Sequence, residues 1–490
     1  MTAREGTSAT YETVIGLECH AQLLTRTKLF CSCRAGFGDS PNTNVCPVCV
    51  GLPGALPVLN RRAVELATRM ALAVGCRVNR DSIFARKNYF YPDLPKGYQI
   101  SQYDRPLAEE GGLEIETESG RKRIGIERIH MEEDAGKLLH EGFRDAATKS
   151  AVDFNRSGVP LIEIVSLPTL SSPEEAVAYA ESLREILQYA GVSDADMEKG
   201  NFRCDGNVSI RPRGASELGT KVEIKNLNSF RFLGRALAYE VERQAALLGA
   251  GSRVAQETRL YDPDADQTHP MRSKEEAHDY RYFPDPDLPP LKLSAEQVDE
   301  IENALPELPK AKRERFTAGL GLPAYDAQVL TSSRSLADYF EAAARRSGNP
   351  KATSNWVMSD VLRKLKESEV APEVFPIAPE ALGELVALVD QGKVSGKMAK
   401  EVFEKMYGSG ESAARIIERE GLTQISDPAA IESIARTVVE AHPDLVAQYR
   451  SGEEKVLGFF VGQLMKATKG QANPKLAREV LVRVLSVNNA

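Results

Sequence analysis

The chain reads as an α+β protein whose first part interleaves strands with a few helices and whose second part is helical. Three observations carry this. Short alternating or β-branched runs separated by turn residues fill about the first 290 positions. A proline cluster at Pro284, Pro286, Pro289 and Pro290 then closes them, and from Ser294 onward apolar residues recur at helical spacing. With 490 residues, 42% of them hydrophobic and 27% charged, the chain can bury more than one core and should divide into roughly two to four domains.

The strands come first. Thr13-Val-Ile-Gly-Leu17, Arg123-Ile-Gly-Ile126, Pro160-Leu-Ile-Glu-Ile-Val165 and Asn207-Val-Ser-Ile210 are β-branched or alternating. Among them one helix is clearly punctuated: Ser172 caps it, Pro173 opens it, Val177, Leu183, Ile186 and Leu187 line one side, and Gly191 stops it. Past the prolines, Ser294-Ala-Glu-Gln has the pattern of a capping box. A break from Pro372 to Pro379 and a hinge at Gly408-Ser-Gly410 follow, which divides the chain into residues 1–295, 296–411 and 412–490. At the end, Asn473 caps a helix carrying Leu476, Val480 and Leu485, and the helix before it presents Val456, Leu457, Phe460, Val461 and Leu464. The two should close the chain as a small bundle.

Charge narrows the function. A net charge of −8 argues against nonspecific coating of nucleic acid, which needs many cations on phosphates. A local basic surface remains at residues 465–490, where Lys466, Lys469, Lys475, Arg478 and Arg483 face only Glu479. Met-Thr-Ala-Arg-Glu-Gly at the start has no apolar stretch behind its basic residue, and no later segment reaches membrane-spanning length. A cytoplasmic protein with no membrane partner is expected.

Four of the seven cysteines form Cys31-Ser-Cys33 and Cys46-Pro-Val-Cys49, separated by residues that include Gly36, Gly38, Pro41 and Asn42. In a reducing compartment such clustering points to metal rather than disulfides. A pair one residue apart on an extended strand and a pair in a knuckle can bring four sulfurs together tetrahedrally, and Zn2+ is the natural occupant. With no histidine or carboxylate inside the cluster, a structural zinc is favoured over a catalytic one.

Glu18 and His20 are two apart on a strand and share a face, while Cys19 and Ala21 share the other. Alone, such a pair is more often a surface pair or a satisfied core histidine. Two further segments change the reading. Glu163 interrupts an otherwise apolar strand, where a carboxylate needs a partner or a cation, and Glu132, Glu133 and Asp134 repel one another unless solvated or bound to metal. Carboxylates holding a divalent ion beside Lys or Arg suit phosphoryl transfer, with basic candidates at Lys87 and Arg156. A histidine in the shell makes Mn2+ at least as acceptable as Mg2+. Gly136-Lys137 lacks the glycine and hydroxyl residue of a P-loop, and neither GxGxxG nor HExxH occurs in a usable context.

These segments resemble a known family. Gly16-Leu-Glu-Cys-His20, Arg86-Lys-Asn-Tyr-Phe-Tyr-Pro-Asp93, Tyr98-Gln-Ile-Ser-Gln102, His130-Met-Glu-Glu-Asp-Ala-Gly-Lys137 and Pro160-Leu-Ile-Glu-Ile-Val165 are similar to motifs of the B subunits of tRNA-dependent amidotransferases. So are Arg203-Cys-Asp-Gly-Asn207, Glu223-Ile-Lys-Asn-Leu-Asn-Ser229 and Asp279-Tyr-Arg-Tyr-Phe-Pro-Asp285, in order and without large insertions. The resemblance implies a cradle-shaped first domain carrying the zinc knob, a helical domain, and a tail domain that touches tRNA through the basic C-terminal helices. It implies that Mg-ATP phosphorylates the side-chain carboxylate of a misacylated tRNA. Ammonia from a glutaminase A subunit then displaces phosphate, giving Gln-tRNA(Gln) or Asn-tRNA(Asn). A small C subunit would complete a heterotrimer, and a non-discriminating synthetase would be a further partner. Carried over by motif, the metal ligands are Glu18, His20, Glu133 and Glu163, with Lys87 and Tyr89 assigned to the nucleotide and acceptor-end pocket. Cys19 stands where the family pattern has valine, and the cysteine quartet occurs in only part of the family. Two other readings remain to be separated from this one. A noncatalytic tRNA-binding zinc scaffold would leave Glu163 unexplained, and a stand-alone ligase would need an amidase signature that the chain lacks.

Overall fold

A large β-sheet with one face on an apolar core organises the first unit. In this computed structural model, residues 10–271, 277–422, 424–425, 427–468 and 470–486 are described. The chain divides into two compact units, Met1–Pro309 and Lys310–Ala490.

The centre of the first unit is a nine-stranded sheet. In chain order its strands are β1 (Tyr11–Gln22), β2 (Arg77–Val78), β3 (Ala108–Thr117), β4 (Gly120–Glu133), β5 (Pro160–Ser166), β6 (Phe202–Pro212), β7 (Val222–Leu227), β8 (Thr258–Asp262) and β9 (Gln267–Pro270). Across the sheet the order is β9-β8-β7-β6-β1-β5-β4-β3-β2. Every pairing is antiparallel except β7 with β8. The four runs expected as strands fall within β1, β4, β5 and β6.

The central strands turn one parity of residues to an apolar core. Leu17, Cys19 and Ala21 of β1 are buried with Cys204 and Val208 of β6, Ile162 and Ile164 of β5, and Ile129 and Met131 of β4. Helices α1 (Arg61–Ala73), α2 (Pro173–Tyr189) and α3 (Phe230–Gly249) supply the residues that cover this face, among them Met70, Tyr179, Leu183, Leu187, Leu233 and Leu237. Gly206 on β6 allows α3 to lie close, since a Cβ there would sit 3.1 Å from a Leu237 methyl. The caps of α2 are as expected, with Ser172 Oγ accepting from Glu175 N at 3.2 Å and Gly191 in the left-handed region at φ 63°.

The helical unit carries two apolar cores. The first runs from Phe316 to Ile417 and the second from Ile431 to Leu485. Gly408 and Ser409 end the helix Gly396–Ser409 with Gly410 as its C-cap, and helix Ala413–Glu420 beyond them contributes Ala413, Ile416 and Ile417 to the first core. Further back, Ala295–Asn303 begins with the expected Ser294 capping box and belongs to the sheet unit, where Val298 packs on the core. In the terminal bundle Leu457, Phe460, Leu464, Val480 and Leu485 are buried, while Lys466, Lys475, Arg478 and Arg483 are exposed. Lys469 lies outside the described residues. No helix among the described residues is long and apolar enough to cross a membrane.

Candidate functional site

With one face of the sheet buried, the opposite parity gathers polar side chains at the middle of the sheet. On β1 these are Glu18, His20 and Gln22; on β6, Arg203, Asp205 and Asn207; on β5, Glu163; on β4, His130 and Glu132. His20 pairs with Glu163 in register, and Leu23 N donating to Pro160 O fixes this pair as a non-hydrogen-bonded one, where side chains approach most closely.

The result is a cluster of donors. His20 Nε2 lies 3.3 Å from Glu163 Oε2 and 3.4 Å from Glu132 Oε1. His130 Nε2 lies 3.2 Å from the same Glu163 oxygen and 4.0 Å from Glu132 Oε2. Ligand atoms of His20, Glu132 and Glu163 all fall within 4.8 Å of one another, as a single metal ion requires. The side chain of Glu163 is 12% exposed and that of Glu132 only 4%.

Electrostatics separates the two carboxylates. Burial and the neighbouring Glu163 charge push Glu132 up, against the pull of the histidines and Lys87. Burial acts on Glu163 too, but His130 and His20 more than offset it and hold that carboxyl well below its usual range. His20 is pushed up to about 9, burial being outweighed by Glu163 and Glu132. Two carboxylates and an imidazole this close, with water largely excluded, form a donor set that could hold a divalent cation.

Sequence reasoning placed Glu133 in this set. The structure instead puts Glu132 beside His20, because the two-residue period of β4 sends Glu132 and His130 to one face and Glu133 to the other. Glu133 pairs with the buried Lys96 and accepts from Ile100 N at 3.0 Å. There it lines a cavity of about 90 Å³ with Lys28, Cys49 and Gly158, under the cysteine knob. Glu18 lies on the expected face, two register pairs along from His20 and Glu163, and accepts from Asn207 Nδ2 at 2.9 Å. The His-x-Glu spacing of His130 and Glu132 was a sequence signal that these two share a face, while the register decides which face.

Lys87 and Tyr89 lie on the short strand Ala85–Asn88 and just after it, in a separate sheet with Tyr98–Ser101 and Phe283–Pro284. Lys87 Nζ sits 4.7 Å from the Tyr280 ring centroid and 5.8 Å from that of Tyr89. Burial works against its charge, yet Tyr282, Glu132 and Glu163 raise it above the ordinary lysine range. Lys87 therefore stays a cation beside the carboxylate cluster. Tyr280 and Tyr282, the latter stacked on Tyr103 at 4.1 Å, complete a tyrosine wall that the sequence reading did not identify. Asp134 anchors the other side. Arg203 at 3.2 Å, Arg156 at 3.6 Å and Gln22 at 2.9 Å hold its carboxyl below the usual range despite burial.

The four cysteines converge as their spacing suggests. Ligand atoms of Cys31, Cys33, Cys46 and Cys49 lie within 4.8 Å of one another, compatible with structural zinc. Cys46 N donates to Cys49 Sγ at 3.1 Å, the expected knuckle. Cys31 and Cys33 sit on bends rather than a strand, because Lys28 N bonds to Cys33 O at 3.0 Å and folds the segment back on itself. The Cys49 thiol is pushed down to about 4, by Cys31 first and against burial, with Lys28 also lowering it. Lys28 is buried and holds the knob through Asn44 O at 2.8 Å and Phe154 O at 3.2 Å. A different cavity, of about 700 Å³, lies at the far end of β1 around Glu12, Ser171 and Arg211, away from both clusters.

Comparison with known proteins shows the family. Residues 13–299 match the family described as GatB/GatE catalytic domain, and residues 338–485 match the GatB domain. The B subunits of aspartyl/glutamyl-tRNA(Asn/Gln) amidotransferase from Geotalea uraniireducens (strain Rf4) and Solidesulfovibrio magneticus are 53% and 55% identical to this chain over 476 and 477 residues. Each alignment covers 97% of this chain, with 99% and 100% of the respective relative. The protein of the same name from Carboxydothermus hydrogenoformans is 54% identical over 471 residues, covering 96% of this chain and 98% of its own.

Proposed function

The chain belongs to the family of aspartyl/glutamyl-tRNA amidotransferase B subunits, and we propose that the polar face of its sheet is the ATP-dependent kinase and transamidase site. The observation that supports this most is the convergence of His20, Glu132 and Glu163 beside a lysine that remains charged.

A divalent ion, Mg2+ or Mn2+, would be held by these three residues with Glu18 next to them, and would supply charge neutralisation to ATP phosphates. The chain's own groups account for the rest. Lys87 adds a fixed cation from the other side of the cluster, and the tyrosines around it provide flat faces for a nucleoside. His130 keeps Glu163 ionised and aimed at His20. Asp134, buried and clamped by Arg203 and Arg156, fixes the turn that follows β4. On this reading the side-chain carboxylate of Asp-tRNA(Asn) or Glu-tRNA(Gln) attacks the terminal phosphorus of ATP and ADP leaves. Ammonia then attacks the acyl carbon and phosphate leaves. A free carboxylate resists ammonia because its leaving group is poor; an acyl phosphate does not.

Ammonia is proposed to come from a glutaminase A subunit, with a small C subunit completing the heterotrimer, and the zinc knob and basic tail to engage tRNA. A noncatalytic scaffold would need the knob and tail but gives no reason for Glu132 and Glu163 to be desolvated together. The test is transamidation of misacylated tRNA by the chain without partners. Ammonium chloride with ATP should support it and glutamine should not, and Glu163→Gln should abolish it while tRNA binding persists. ATP-independent turnover, or full activity in Glu163→Gln, would sink the proposal.

A further inference from the structure

Behind the polar face, on the core side of the same two strands, lie two thiols that the proposed chemistry does not use. Cys19 and Cys204 are register partners on β1 and β6, 0% and 2% exposed, with sulfurs 3.2 Å apart. The class of their pairing follows from a neighbour. Gln22 N donates to Asn201 O at 2.9 Å, so alternation along the ladder makes Cys19 and Cys204 a non-hydrogen-bonded pair. Cα atoms in such pairs stand about 4.5 Å apart, inside the range a disulfide spans, so no backbone rearrangement stands in the way. Beside them the Tyr179 hydroxyl, on α2 and fully buried, has no hydrogen-bond partner among the described residues. It is close enough that charge on either sulfur bears on it.

We propose that Cys19 and Cys204 form a peroxide-oxidisable pair whose disulfide disturbs the site on the opposite face of β1 and β6. Burial selects the oxidant, since hydrogen peroxide is little larger than water whereas a peptide disulfide cannot reach these sulfurs. One sulfur attacks a peroxide oxygen and the O–O bond breaks. The departing hydroxide takes the thiol proton as water, leaving a sulfenic acid. The second sulfur then attacks the first, the S–OH bond breaks, and a second water leaves with the remaining thiol proton. Two thiols are oxidised and one peroxide is reduced. A disulfide prefers Cα atoms about 5.5–6 Å apart, wider than such a pair, so the bond pushes the strands apart where they carry His20 on one and Arg203 on the other.

The effect on activity rests on the proposed function, whereas formation of the bond does not. The test treats the full chain, assembled with its partner subunits, with hydrogen peroxide, then digests it without reduction for mass spectrometry. A peptide joining Cys19 to Cys204 should appear in the native protein and not in Cys19→Val. Transamidation by the native complex should fall by roughly tenfold to a hundredfold, the scale of a displacement of about 1 Å at a reacting group. Dithiothreitol should restore it. Cys19→Val, or Cys204→Val if the first does not fold, keeps the four knob cysteines and should resist the treatment. Absence of the joined peptide, a joined peptide with activity intact, or equal loss in the valine variant would overturn the inference. An untreated complex with no ATP-dependent activity would instead overturn the proposed function, and the joined peptide alone would then decide the thiol pair.

Discussion

The two clusters of ligand atoms in the first unit are built in opposite ways. The cysteine knob takes all four sulfurs from nineteen consecutive residues, Cys31 to Cys49. The polar cluster takes His20, Glu132 and Glu163 from three different strands spread over much of the unit. A local cluster can form as soon as a short loop closes around an ion, so metal binding and local folding are one process. A dispersed cluster exists only after the sheet has formed, so the sheet holds the site and the site contributes little to the sheet. Four substitutions would sharpen or break that contrast.

The largest effect should come from the knob. Cys49→Ser should remove bound zinc and unfold the segment around residues 31–58, a loss of several kcal/mol by analogy with structural zinc sites. Limited proteolysis and zinc stoichiometry would check this. An intact, protease-resistant segment without zinc would break the comparison.

Glu132→Gln comes next and tests the other cluster. Transamidation should drop on the order of 10²–10³-fold, the usual cost of losing one preorganised electrostatic group. Thermal unfolding should stay close to native, because burial already disfavours the Glu132 charge. A large stability loss with activity intact would reverse the assignment.

Glu133→Gln should behave in the contrary sense despite being the adjacent residue. It leaves the buried Lys96 ammonium without its counter-charge, costing about 3 kcal/mol of stability. Steady-state rates below the unfolding range should change far less than in Glu132→Gln.

The smallest effect is a pH profile. In metal-free protein, His20 is pushed up to about 9 from an ordinary value near 6.5. Its contribution to stability is therefore complete below about pH 6.5 and is lost as pH rises through about 9. Chemical denaturation across that window should show a decline of roughly 3 kcal/mol that His20→Gln removes. Added Mn2+, which takes the neutral ring, should flatten the native profile. A flat metal-free profile would show that the three donors do not meet as described.

Much of this was legible in the residues. The knob was, because its ligands are neighbours and thiolate chemistry is distinctive. So were the α+β to helical transition and the caps at Ser172, Ser294 and Asn473, which are local hydrogen-bonding patterns. The polar cluster was only half legible. Glu163 stood out as a carboxylate in an apolar strand, but choosing between Glu132 and Glu133 required the parity of β4 relative to β1, which the run Glu-Glu-Asp does not reveal by itself. Similarity to the family motifs pointed to the right segment without resolving adjacent carboxylates.

What the sequence determined, then, is whatever depends on neighbours along the chain: where strands give way to helices, which helices are capped, that four thiols can hold an ion, and that a charged group in an apolar strand needs a partner. The tertiary structure decided the partners. Register between β1, β5 and β4 brings His20 to Glu163 and Glu132, and register between β1 and β6 sets Cys19 against Cys204. The reason is that alternation along a strand fixes which face a side chain occupies, whereas the residue opposite it is chosen by the pairing of strands far apart in the chain.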